Sequence, residues 1–168
     1  MNRERLGAAW VGLSLIGLGI VLLVAQWIGW DRIWPIFPLM GGLAFLVGYA
    51  VSGFEDSGMV FVGTAATLVG VFFFGFTLGV WEWGDMAKLW PVFPLIGGVA
   101  FAALFLAERA RNVGTLGVGC AAMLVGVVGL AVTYGFAGAG IVKFWPLLLV
   151  LIGLISLVGV LLQMFRRE

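Results

Sequence analysis

The dipeptide Trp-Pro recurs three times in this chain, and its spacing constrains the fold more than any other feature. The copies begin at Trp34, Trp90 and Trp145, which are 56 and 55 residues apart. The first two continue as WPIFPLMGGLAF and WPVFPLIGGVAF, which agree at nine of twelve positions, and the third reads WPLLLVLIGLIS. Self-similarity at a fixed period indicates a repeated structural unit. Since a long apolar stretch precedes and follows each copy, the sequence predicts three tandem helical hairpins.

The composition places these hairpins in a membrane. Of the 168 residues, 63% are hydrophobic and 10% are charged, whereas a soluble domain carries about 25% charged residues. So few charges cannot cover a water-facing surface, and the lipid bilayer is therefore the predicted solvent. The net charge of +1 and the absence of a basic block argue against nucleic acid as a partner.

Charged residues divide the chain into six uncharged stretches that are long enough for a membrane-spanning helix, and the fifth is too long for one span, so we expect its end, 137–140, to be a loop. A helix needs about 20 apolar residues to cross the hydrocarbon core. The stretches are 6–30, 33–54, 57–81, 89–107, 112–142 and 144–165. We therefore predict an all-α integral membrane protein with six transmembrane helices in one domain, 1–168. Its repeats cover about 6–54, 57–107 and 112–165, with the Trp-Pro prolines at the starts of helices two, four and six.

The positive charges predict the orientation of these helices. One side of the predicted bundle holds Arg3, Arg5, Arg109, Arg111, Arg166 and Arg167, and the other holds Arg32, Lys88 and Lys143. Positive residues are enriched in cytoplasmic loops. We therefore expect both termini in the cytoplasm.

Tryptophan is concentrated near the tips of the three predicted hairpins. Seven of the eight residues lie there, namely Trp27, Trp30, Trp34, Trp81, Trp83, Trp90 and Trp145. An amphipathic indole suits the membrane–water interface, so an interfacial belt is one interpretation. A partner- or lipid-binding surface is the other, because this belt is nearly one-sided. Its candidate residues are Trp30, Arg32, Trp34, Trp81, Trp83, Trp90 and Trp145.

Small residues at a spacing of four predict where helices approach one another. Gly75 and Gly79 form a GxxxG pair, and Gly48, Gly98 and Gly117 each begin a small-xxx-small pair. Such pairs let helix backbones come close in membranes. They fit either packing within one chain or a homo-oligomer.

Side chains for chemistry are scarce in this sequence. Histidine is absent, and every charged residue falls at a predicted helix end or loop, whereas pumps and intramembrane enzymes use ionisable groups within the membrane. We find no candidate catalytic, cofactor-binding or metal-binding residue and do not expect an enzyme. We expect a protein that acts by contact with a membrane-protein partner or a second copy. The alternatives are an accessory subunit of a photosynthetic or respiratory complex and a small-solute carrier or channel.

The Trp-Pro units resemble the LiaI/LiaF-like transmembrane family. That family's unit has a Gly- and Leu-rich helix, a short turn, Trp-Pro and a Gly-containing helix. The resemblance implies a multi-pass protein of a prokaryotic cytoplasmic membrane, since LiaF-type helices take part in restraining envelope-stress signalling. A weaker resemblance is to HdeD-like membrane proteins, which also stack three hairpins.

Overall fold

The described part of the protein is entirely helical, as the sequence predicts. The computed structural model describes residues 3–136, together with 140, 150 and 153. Seven α-helices and one 3-10 turn, without strands, make up this part. They are α1 (Arg3–Ile28), α2 (Trp30–Ile33), α3 (Ile36–Val51), α4 (Gly58–Thr77), the 3-10 turn Trp83–Asp85, α5 (Met86–Leu89), α6 (Val92–Ala107) and α7 (Val113–Thr133).

Several of these helices can cross a bilayer. Trp30–Val51, Gly58–Thr77 and Val113–Thr133 are each long and apolar enough. Trp83–Leu89 and Val92–Ala107 form a pair bent by 60°, which gives a fourth span if it is counted as one. In α1, Leu15–Ile28 is a shorter apolar helix. Apart from residues 150 and 153, the predicted stretch 144–165 lies outside the described residues, so the count of six and the third hairpin stay predictions.

The first two Trp-Pro dipeptides have the same backbone conformation. Trp34 and Trp90 have φ/ψ of −53°/−29° and −52°/−30°, and Pro35 and Pro91 have −67°/−8° and −69°/−8°. A proline has no N–H and its ring clashes with the preceding helical turn, so it kinks a helix. A short helix therefore precedes each proline, and the span Trp30–Val51 begins at Trp30 rather than at residue 33. Helix α4 ends at Thr77, before the predicted limit at residue 81.

Each Trp-Pro helix packs against the helix that follows it, so that α3 pairs with α4 and α6 with α7. A Cβ on Gly42 of α3 would lie 2.6 Å from the carbonyl oxygen of Gly63 of α4, and a Cβ on Gly63 would lie 2.9 Å from the Gly42 oxygen. The same distances for Gly98 and Gly119 are 2.8 and 3.2 Å. No side chain fits at these points, and the backbones meet directly, as in Cα–H···O contacts between helices.

The two glycine contacts repeat because α4 and α7 repeat. Residues 62–71 read VGTAATLVGV and residues 118–127 read VGCAAMLVGV, which agree at eight of ten positions with an offset of 56. The offset places Gly119 where Gly63 stands. Contact between α4 and α6, through rings such as Phe61 and Phe101 with centroids 4.7 Å apart, then joins the two helix pairs.

Candidate partner-binding surface

The tryptophan-rich end of the molecule, which we define as residues 27–34 and 81–90, is built on an aromatic core. Phe72 and Phe76, in the second half of α4, are each 4% exposed. They pack with Leu89 of α5 and Ile96 of α6. Burial of large apolar side chains at this junction fixes the segment 81–90 against both long helices.

Trp81 belongs to this core. Its ring centroid lies 5.4 Å from that of Phe72 and 5.5 Å from that of Phe76. The backbone N–H groups of Val80 and Trp81 both donate to the Gly75 carbonyl, at 2.8 and 3.1 Å, which turns the chain back along α4. The indole then covers Gly75, where no side chain is in its way. Trp81 is therefore half-buried and holds the turn.

Trp83 combines a fixed position with an open face. Its ring stacks on Phe76 at 5.0 Å and 28°, and it lies 6.5 Å from Phe73 at the same angle. Even so, 55% of the residue is exposed. The phenyl rings of α4 thus support an indole that is still more than half exposed.

Trp34 and Trp90 occupy equivalent positions in the repeat but differ in exposure. Trp34 is half-buried, with its ring 4.9 Å from Phe73 of the following helix. The residue 56 positions after Phe73 is Gly129, which packs on the Pro91 ring instead. Trp90 has no phenyl ring at that place and is 49% exposed.

The other candidate interface residues lie at the start of the span Trp30–Val51 or outside the described residues. Trp30 stacks nearly parallel to Phe37, with centroids 6.0 Å apart and an angle of 4°, and is 49% exposed. Arg32 is exposed in α2. Trp145 lies outside the described residues. The structure therefore divides the candidates into packed rings, Trp34 and Trp81, and half-exposed rings, Trp30, Trp83 and Trp90.

Charge at this end adds little to its stability. Lys88 Nζ lies 3.1 Å from Asp85 Oδ1, and both side chains are exposed. Exposed pairs of this kind contribute about 0–1 kcal/mol. Besides exposed charges such as Arg32 and Lys88, this surface offers a partner the apolar area and indole N–H groups of its half-exposed tryptophans.

The five glycines predicted to pack helices have different surroundings. Gly98 contacts α7, and a Cβ on Gly48 would meet Met59 Sδ at an ordinary 3.6 Å. Gly117 is half-buried in α7. Gly75 faces Trp81 rather than another helix, and Gly79 lies beyond the end of α4 with φ +77° and open space around it. The GxxxG pair therefore does not pack two helices. Gly75 makes room for the Trp81 ring, and Gly79 lies in the turn after α4, which ends at Thr77.

Gly98 was predicted, but several other close glycine contacts were not. They include Gly42, Gly63, Gly70, Gly119 and Gly126, where a Cβ would meet the facing helix. A signal for α4 and α7 was present in the sequence, since Gly63 and Gly119, like Gly70 and Gly126, are separated by the Trp-Pro period of 56 residues.

Comparison with known proteins supports the resemblance seen in the sequence. Neither the curated proteins nor the solved structures gave a match. The family described as LiaI-LiaF-like transmembrane region has a model that matches residues 60–102, which run from α4 through the tryptophan-rich segment into α6. The resemblance to HdeD-like proteins stays a prediction. The chain is a membrane protein with several apolar helices, and its residues 60–102 are similar to the LiaI-LiaF-like transmembrane region.

Proposed function

We propose that the chain is a non-catalytic membrane protein that acts by contact, as a structural or regulatory partner in a membrane assembly of an envelope-stress system. The observation that carries the proposal is Trp83, an indole more than half exposed and stacked on Phe76. Trp is among the residues most enriched in binding hot spots. A ring that is already fixed loses little conformational entropy when a partner covers it.

The long helices support contact rather than chemistry or transport. Helices α3, α4, α6 and α7 contain no charged residue. Thr133 in α7 donates its hydroxyl to the carbonyl of Gly129 at 3.0 Å, and Thr77 in α4 donates to Phe74 at 3.4 Å. Such hydroxyls satisfy their own helix, whereas transport routes are usually lined by polar or charged groups.

The link to envelope stress rests on the family match. Residues 60–102 resemble the LiaI-LiaF-like transmembrane region, and the helices of LiaF-type proteins take part in restraining envelope-stress signalling. The matched range includes Trp81, Trp83 and Trp90 together with the phenyl rings beneath them. The matched range thus covers the segment 81–90 of the surface that we propose for the partner.

The experiment compares single substitutions in the intact chain, purified from its own host in mild detergent with quantitative mass spectrometry of co-purifying membrane proteins. We expect Trp83→Ala to reduce partner recovery by about tenfold or more, since loss of a hot-spot Trp costs about 2 kcal/mol or more, while the melting temperature is kept. Trp27→Ala is the matched control, because Trp27 is 91% exposed and should serve only the lipid interface.

Trp81→Ala separates folding from binding, since Trp81 packs into the core and its loss should lower the melting temperature. If the Trp83→Ala variant is folded and recovers as much partner as the wild type, this end of the molecule is only an interfacial belt. Solute flux through the purified monomer in liposomes would overturn the contact mechanism itself.

A further inference from the structure

The end of the molecule opposite the tryptophans carries two turns of the same shape. The turn 52–56 joins α3 to α4, and the turn 108–112 joins α6 to α7, at an offset of 56 residues. Ser52 N–H donates to Gly48 O and Glu108 N–H to Leu104 O, both at 2.8 Å. The next two residues are left-handed in both turns, with φ of 77° and 67° in the first and 56° and 57° in the second.

These turns carry opposite charges. The first, which we call the acidic turn, exposes Glu55 and Asp56, and the second, which we call the basic turn, exposes Arg109 and Arg111. Because α3 and α6 run in the same direction away from the tryptophan-rich end, both turns lie at the same end of the bundle. The acidic turn can therefore serve as a control for the basic turn, because the two have the same backbone shape and opposite charge.

Arg109 occupies a position that suits glycine. Its φ is 56°, and the equivalent residue of the acidic turn is Gly53, with φ 77°. An L-residue other than glycine is disfavoured there, and such outliers are concentrated at ligand sites and switches. Gly53 shows that the turn forms with glycine at this position, so the turn itself does not require the arginine side chain.

Neither arginine is paired with a carboxylate within the described residues, where the one ion pair is Lys88–Asp85. Glu108 is adjacent to Arg109, but its Oε2 accepts a hydrogen bond from Thr115 Oγ1 at 3.0 Å. That contact directs the carboxylate towards α7. Within the part of the chain that the structure describes, the two arginines are thus exposed and without a carboxylate partner.

Apolar side chains flank the basic turn on both sides. Leu106, in the last turn of α6, is 72% exposed, and Val113, the first residue of α7, is 50% exposed. A phospholipid offers a phosphate to the arginines and acyl chains to the leucine and valine, whereas free phosphate uses the arginines alone. Guanidinium groups bind phosphate in a bidentate way, and basic groups at membrane ends recognise anionic lipid head groups.

We propose that the basic turn, through Arg109 and Arg111, binds the phosphate of an anionic phospholipid at the membrane surface. The test is native mass spectrometry of the full chain in detergent, titrated with phosphatidylglycerol or with phosphatidylcholine of the same acyl chains. The double variant Arg109→Gly with Arg111→Gln removes both charges, and it keeps the fold because glycine suits the left-handed position. Glu55→Gln with Asp56→Asn is the matched control in the acidic turn.

We expect the wild type to retain phosphatidylglycerol over phosphatidylcholine and the arginine variant to lose about 30-fold in affinity, at about fivefold per arginine. The acidic-turn variant should retain at least as much lipid as the wild type. Three results would overturn the proposal: equal retention by the arginine variant, complete competition by millimolar inorganic phosphate, or a change of oligomeric state in both variants with lipid retention unaltered. The last would instead indicate contact between the acidic and basic turns of two copies.

Discussion

The indole of Trp81 occupies the space beside Gly75, so that Cη2 of the ring lies 3.0 Å from the point where a Cβ on Gly75 would stand. The two residues are six positions apart, and the reversal of the chain after α4 brings them together. This contact links the end of a membrane-spanning helix to the segment that carries Trp83.

Replacement of Gly75 by Ala should therefore displace Trp81. Overpacking of a tight contact costs about 1–3 kcal/mol, and we expect a lower melting temperature in detergent together with a changed near-UV circular dichroism signal. Gly41→Ala is the control, because a Cβ there meets nothing within 4 Å. Equal melting temperatures for the two variants would contradict the close packing of Trp81 against Gly75.

Adjacent glycines of α6 provide a test of the α6–α7 contact. A Cβ on Gly98 would lie 2.8 Å from both the Gly119 oxygen and the Met123 nitrogen, while one on Gly97 meets nothing within 4 Å. Because backbone cannot move aside as a flexible side chain can, Gly98→Ala should destabilise the protein by about 1–3 kcal/mol. Gly97→Ala should be neutral or stabilising, since alanine is the better helix former. Thermal unfolding of both variants decides the matter, and a reversed order would show that α6 and α7 do not pack in this way.

The hydroxyl of Thr67 is buried and has no hydrogen-bond partner among the described residues. An unsatisfied buried polar group is costly, so Thr67→Val should raise the free energy of unfolding by about 1 kcal/mol. The matched substitution is Thr133→Val, which removes hydrogen bonds from Oγ1 to Gly129 O at 3.0 Å and Leu130 O at 3.1 Å. We expect the two changes to act in opposite directions in an unfolding titration, and destabilisation by Thr67→Val would contradict the assignment.

Thr115 fastens the basic turn to α7. Its hydroxyl donates to Glu108 at 3.0 Å, and its N–H donates to Asn112 Oδ1 at 3.4 Å. Thr115→Val removes the first bond and leaves the carboxylate without that donor, at a cost of about 1–3 kcal/mol. Glu108→Gln keeps an acceptor oxygen and should cost less, as measured by the same unfolding titration. A larger loss for Glu108→Gln than for Thr115→Val would show that the hydrogen bond is not what stabilises the turn.

The sequence predicted the helical class, the membrane and the family resemblance, because these depend on apolar length and a repeated motif. It predicted a hairpin within each repeat, but not that the closest backbone contacts join α3 to α4 and α6 to α7, across the boundaries between repeats. Lipid and a neighbouring helix are equally apolar, so hydrophobicity alone does not distinguish the face of α4 that meets Gly42 from the face that meets lipid. The 56-residue spacing of Gly63 and Gly119 indicates that the two glycines are equivalent. It does not indicate which helix they contact, because that depends on where two helix backbones cross.

The exposure of each tryptophan likewise could not be predicted from the sequence. All the candidates stand near charged or turn residues, and all suit an interface. Trp81 is half-buried because Gly75 leaves room for it and α4 ends early. Trp83, two residues later, stacks on Phe76 and is 55% exposed. Such differences arise from tertiary packing, which composition does not specify.

The pairing of each Trp-Pro helix with the helix after it has a consequence for biosynthesis. A chain made from its N-terminus inserts α3 before α4 exists, so the bare backbone at Gly42 meets lipid until the ribosome has added the next span. At about 5–20 residues per second this interval is on the order of seconds. During that time the contact surface at Gly42 has no partner helix, and it is covered only when Gly63 of α4 has been inserted.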